Sequence, residues 1–168
     1  KLRDKDLTSH THSGTLTLWI AIILIVAIEP ITIHILLAKW NITFAWIVTF
    51  LSIYSGIQIF GFLKSMYKRP ISIEKNKLFL RYGIMNETII DLANIDNVEI
   101  TSKDLEWNSD TRKLSFLGEL ESHNVIIRLK KKNTLVGLYG IKRKYKNLAL
   151  HVDNKTKFKN RINNVLQK

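Results

Sequence analysis

No cysteine occurs in the 168 residues, so no disulfide can staple the fold and no thiolate can serve as nucleophile or metal ligand. Proline is nearly as scarce, with only Pro30 and Pro70. The chain also lacks a phosphate-cradling glycine loop, a hydrolase elbow, a dinucleotide fingerprint and zinc-ligand spacing. No enzyme class with a local signature is therefore indicated, and no cofactor is expected. The five histidines are scattered. His10 and His12 form an H-x-H pair in a Ser- and Thr-rich arm, where two ligands without further partners do not make a metal site. His34, His123 and His151 stand alone, and His151 falls on the polar phase of a predicted strand, which makes it a surface residue.

Charge is missing from one long stretch. Between Thr15 and Leu63 only Glu29 and Lys39 are ionic, whereas Lys64 to Lys168 hold 22 Lys and Arg against 11 Asp and Glu. The remainder of the chain needs its own core and cannot also cover an apolar run of this length, so a bilayer is expected to do so. Two spans are predicted, residues 15–38 and 42–63, each near the ~20 residues that cross a hydrocarbon layer. A cleaved signal peptide is a poor reading, because the first apolar run is too long and no small-x-small site comes after it. Because the chain begins with Lys1, further residues are expected ahead of it.

Lys39, Trp40 and Asn41 alone separate the spans, which predicts an antiparallel hairpin with a tight turn. Lys1, Arg3 and Lys5 before it and Lys64, Lys68 and Arg69 after it outweigh Lys39 in the turn, so both termini are expected to be cytoplasmic. The expected organisation is an N-terminal cytoplasmic arm (1–14), a transmembrane hairpin (15–63) and a cytoplasmic domain (64–168). Trp19, Trp40, Trp46 and Tyr67 fall where aromatic rings favour a membrane interface, with packing between helices the alternative for Trp19 and Trp46.

Glu29 lies close to the middle of the first span, where an ionised carboxylate costs ~2.5 kcal/mol or more. Pro30 comes next and frees the Val26 carbonyl. His34 lies five residues beyond Glu29, hence ~140° around the helix. With the turn centred near Trp40, Glu29 is level with Leu51 and His34 with Trp46, which makes Thr49 and Ser52 the nearest polar candidates for Glu29. These intramembrane polar residues have two readings. They lock helix packing by hydrogen bonds, within the hairpin or to another subunit, or they form a proton, ion or ligand site, as for a quinone-like or lipid molecule. Two helices cannot enclose a transport path alone, so a pore would need oligomers or partner subunits.

After Pro70 the periodicity changes from helical to strand-like. Ile71 and Ile73 alternate with polar residues. Asn76 and Lys77 signal a turn before LFLRYGIM, and Asn86 and Glu87 a second before TIIDL. Strands are predicted around Val98 and Ile100, from Val125 to Leu129, from Thr134 with Gly137 and Gly140 as bend points, and around Leu148 to Val152. Thr101 to Ser122 reads as a long loop with an embedded strand. Asp153 is a candidate N-cap for a last helix carrying Phe158, Ile162, Val165 and Leu166 at helical spacing. The fold class expected is α+β: the hairpin, then a strongly bent antiparallel sheet closed by a C-terminal helix.

The run from Ile71 to Ile100, with its hairpin and the Tyr82-Gly83 turn, resembles the opening of bacterial pleckstrin-homology-like (PH-like) domains that come after paired membrane helices. The closing LALHVDNKTKFKNRI is similar to their last strand and helix, where an aspartate begins the helix. The resemblance implies a PH-like domain in a multi-pass protein of the bacterial inner membrane. It implies no catalytic residues, since the family shares none.

Lys130, Lys131 and Lys132 are expected at one hairpin turn and Lys142, Arg143, Lys144 and Lys146 at the next, forming one basic patch on a shared rim. Beside an anionic leaflet each such charge contributes ~1 kcal/mol, fading over a Debye length of ~8 Å. Nucleic acid is not the expected partner, because exposed aromatics do not interleave the charges. Two functions are expected from these features. The first is a non-enzymatic membrane-anchored module that binds a protein partner, a second copy or anionic lipid headgroups. The second is an accessory subunit of a transporter or redox enzyme that uses Glu29 and His34.

Overall fold

The computed structural model describes residues 15–103 and 108–166. The arm carrying Lys1, Arg3, Lys5, His10 and His12, and residues 104–107 of the long loop, lie outside the described residues, as do the side chains of Tyr67, Val165 and Leu166. Two helices open the fold, α1 (Thr15–Ala38) and α2 (Ile42–Lys68), and each is long and apolar enough to cross a membrane. They pack along each other across a turn in which the Asn41 side chain caps α2 by accepting from the Phe44 N–H at 3.1 Å. Pro30 lies inside α1 without ending it. Helix α2 runs beyond the predicted limit at Leu63, because its last turns dock on the sheet.

Of the 25 large apolar side chains that stand exposed among the described residues, 18 belong to the hairpin or its turn. The two helices thus leave most of their apolar surface uncovered by protein. Trp19, Ala45 and Met66 are the buried apolar residues there.

Seven strands come after the hairpin: β1 (Ser72–Glu74), β2 (Lys77–Tyr82), β3 (Asn86–Asp91), β4 (Ile95–Ile100), β5 (Thr111–Lys113), β6 (Val125–Gly137) and β7 (Lys142–Leu150). They form one sheet of order β1-β2-β3-β6-β7-β5, with β4 paired to β6. The first half of β6 pairs with β4, its end pairs with β3, and its register against β7 shifts between Arg128 and Asn133. One long strand therefore serves two neighbours along one edge. The sheet is mixed, not wholly antiparallel, because β5 runs parallel to β7. It enters from the long loop and is held by the Lys146 and Asn147 N–H groups donating to the Asp110 carbonyl and by Leu114 N–H donating to that of Ala149.

Alternation sets the core. Leu78, Leu80 and Tyr82 of β2 face inward with Asn86, Thr88 and Ile90 of β3. The two polar positions are satisfied. The Asn86 amide donates to the Leu114 carbonyl at 2.9 Å, and the Thr88 hydroxyl donates to the Thr134 carbonyl at 2.9 Å. With its one proton committed, Thr88 accepts from the Tyr145 hydroxyl, 2.7 Å away. Helix α3 (Lys155–Leu166) closes the core with Phe158 and Ile162, both fully buried.

Several predicted turns move by a residue or more. The first falls on Lys75 and Asn76, both at positive φ, the backbone that suits a two-residue hairpin. The second falls on Gly83 to Met85, and Asn86 already belongs to β3. The strands expected from Val125 and Thr134 are one strand. The cap of α3 is Asn154, whose side chain accepts from Lys157 N–H at 2.9 Å, and not Asp153. Either short polar side chain can cap, and the chain enters the helix one residue later than expected.

Candidate functional site

The groove between the helices comes first from the sequence. His34 Nδ1 lies 2.8 Å from the Thr49 hydroxyl, which donates to the Ala45 carbonyl at 2.8 Å. His34 also meets the edge of Trp46, with ring centroids 4.9 Å apart. Thr49 is therefore the partner of His34 and not of Glu29. The 140° separation explains this: once His34 turns toward α2, Glu29 must turn away. Glu29 is exposed, and no hydrogen bond or ion pair reaches it among the described residues. Pro30, His34, Thr49 and Ser52 line a cavity of about 700 Å³ whose other walls are apolar, and Glu29 is outside it. The helices come close at Gly56, where an added Cβ would lie 3.4 Å from Val26 Cγ1.

At the other end of the hairpin, side chains of the helices enter the core of the sheet. Trp19 is not an interfacial ring: it is 4% exposed and packs in the same cluster as Met66, Tyr82 and Met85. Its indole N–H donates to the Tyr82 hydroxyl at 3.4 Å, and that hydroxyl donates to the Glu121 carboxylate at 2.7 Å. The Ser115 hydroxyl donates to the same carboxylate oxygen, and Lys113 Nζ to the Glu121 carbonyl at 2.9 Å. Burial and then the Glu121 charge push the Tyr82 phenol far above its ordinary range.

The turn after Tyr82 completes the junction. Ile84 N–H donates to the Ser65 hydroxyl at 3.1 Å, and Arg69 reaches the Gly83 carbonyl and, at 2.8 Å, Glu87. Gly83 has φ +57°, and a Cβ there would strike Ser65 Oγ and lie 3.1 Å from Met66 N. Only glycine fits this turn under the helix.

Three loops meet around this junction: the turn at Gly83 to Met85, the segment from Leu114 to Glu121, and the β6–β7 turn at Leu138 to Ile141. Asn86 links the first two by its bond to Leu114 and the first and third by its pairing with Gly137. They carry Ile84, Phe116, Leu120, Tyr139 and Ile141, five of the seven large apolar side chains exposed outside the hairpin among the described residues. Beside them Arg112, Lys113 and Arg143 line a cavity of about 290 Å³ with Phe116 and Ile141. Of these residues only Arg143 belongs to the predicted basic patch, and the five apolar side chains carry no motif. Their signal was there, as large apolar residues in segments with turn chemistry.

The predicted basic patch is rearranged. Lys130, Lys131 and Lys132 lie within β6, in the stretch where its register slips opposite Lys146, and not at a turn. Lys142, Arg143, Lys144 and Lys146 lie on β7. At ~3.3 Å per residue the charges form a stripe that leaves the junction at Lys142 and reaches Lys146 ~13 Å farther on. Lys132 pairs with Asp110 at 2.5 Å, and Lys130 Nζ donates to the Ala93 carbonyl at 3.0 Å.

His151 is half-buried, with its Nδ1 shielded from solvent and without a hydrogen-bond partner among the described residues, so it is not the surface residue expected. His123 is buried and its Nε2 meets the Lys103 carbonyl at 3.2 Å. No group of three or more His, Asp or Glu side chains among the described residues could hold a metal ion. No family model matches the chain, and neither curated proteins nor solved structures yield a match.

Proposed function

We propose that the chain is a membrane-anchored interaction module without catalytic chemistry. In this reading the hairpin spans the bilayer of a bacterial inner membrane, both termini lie in the cytoplasm, and a PH-like domain rests on the inner leaflet to hold a protein partner or anionic lipid headgroups. The observation that carries it is the gathering of five exposed apolar side chains on the three loops around the base of the hairpin. A domain surrounded by water has no reason to concentrate such residues at the one end where two uncovered apolar helices leave it.

Distance decides which charges act on the leaflet. Arg112, Lys113, Arg143 and Lys142 lie at the junction end, within reach of a leaflet potential that decays over ~8 Å. Lys146 and Lys130 to Lys132 lie beyond that length, and with Lys130 bonded to the Ala93 carbonyl and Lys132 paired with Asp110, Lys131 and Lys146 are the charges left to a protein partner. The test is alkaline extraction of native membranes, then hydrogen exchange of the full chain in nanodiscs. The chain should stay in the pellet, and residues 114–121 and 138–141 should exchange more slowly in anionic than in neutral discs. Release by alkali would sink the reading.

Glu29 favours a second reading, an accessory subunit of a larger membrane complex. A carboxyl at mid-span with no partner in its own hairpin suits a donor on another helix. Glu29→Gln should then weaken co-assembly without releasing the chain from the membrane.

A further inference from the structure

The geometry points to the groove between α1 and α2 as a binding site for a hydroxyl-bearing amphiphile, an alcohol or phenol head on a long apolar body. This rests on the hairpin lying in a membrane. The groove's volume, about 700 Å³, falls within the range of small-molecule sites, and its apolar walls with few polar groups have the composition of one.

Two polar functions on its wall are left open. The Thr49 hydroxyl has given its proton to the Ala45 carbonyl, so it can only accept from His34, which places a proton on Nδ1. In the neutral ring Nε2 then carries a lone pair, for which no donor is present among the described residues. Ser52 is the second. Thr32, Thr49 and Ser55 turn their hydroxyls back onto carbonyls of their own helices, whereas Ser52 makes no such bond and lines the same groove. The groove thus offers an acceptor from α1 and a donor from α2, in surroundings where unpaired polar groups are costly.

Those two functions select the head group. A hydroxyl donates to His34 Nε2 and accepts from Ser52. A ketone or ether oxygen can meet Ser52 alone, and an acyl chain meets neither. A phosphate or ammonium head would enter a groove with no charged side chain in its wall. The Trp46 ring beside His34 gives a phenol a face or edge to pack on.

The test uses the full chain in phosphatidylcholine nanodiscs with 4-dodecylphenol and its methyl ether as probes, read by the 15N resonances of His34. The phenol should bind saturably and shift the Nε2 signal, with the ether weaker by roughly tenfold or more. Thr49→Val, which strips His34 of its acceptor, should weaken the phenol and leave the ether unchanged, whereas Ser52→Ala, which removes one oxygen and little packing, should weaken both. Equal binding of phenol and ether, or phenol binding indifferent to both substitutions, overturns the site. Tryptophan quenching by brominated acyl chains separates the two levels: quenching without phenol selectivity removes the site alone, and absence of quenching removes the membrane placement with it.

Discussion

The hairpin and the sheet domain distribute side chains in opposite senses. In the sheet, Leu78, Ile90, Ile127 and Leu148 are buried while Lys142, Lys144 and Lys146 stand outside. In the hairpin, Ile25, Ile28, Leu36 and Phe50 stand outside while His34, Thr49 and Ser52 turn toward the groove. One chain is thus arranged for two surroundings, and the inversion is what the proposed bilayer would impose. Trp19 sits where the two patterns meet, on a helix otherwise uncovered but buried by the sheet.

The sharpest way to break that contrast is at Trp19. Trp19→Ala should cost ~3–5 kcal/mol, as for a large core aromatic, seen as a drop in the unfolding midpoint of the full chain in detergent. A cost near that of an exposed residue would show that the junction is loose and the two regions independent.

Alkaline pH probes the sheet without touching the groove. Burial pushes the Tyr145 phenol up to about 12, from an ordinary value near ~10. Because the folded state holds its proton more tightly, the unfolded chain releases it first. Stability is then flat below pH ~10 and falls as pH rises toward about 12, by on the order of 2–3 kcal/mol. Tyr82, raised further, adds to the same fall. Denaturant titrations stepped across this window should show the loss, and Tyr145→Phe should reduce it.

The smallest effect is expected on the outward face of the hairpin. Leu36→Val, at a side chain 68% exposed, should change stability within ~0.5 kcal/mol. A loss comparable to that at Trp19 would mean that another protein surface covers this face.

Much of the architecture was legible because it is local. Apolar length and a three-residue gap implied paired helices, and alternation marked most strands. Where the structure departs from the local pattern, the cause is non-local. The strands from Val125 and Thr134 merged because β6 serves β4 and β3 in turn, and the lysines between them looked like turn residues because a register slip is invisible in one strand alone. At Glu29 the helical angle to His34 was available, but which of the two faces α2 depends on how the helices roll against each other.

By itself the sequence determined the order of elements, the two long apolar helices, the basic character of the domain after them and the absence of any local catalytic signature. Each depends on composition or on spacing within one element. Tertiary structure alone decided that Trp19 belongs to the sheet's core through Tyr82, 63 residues away, that three separate loops share one apolar rim, and that Thr49 serves His34. These are pairings between distant segments, and a periodic pattern tells which face of an element seeks cover without telling what will cover it.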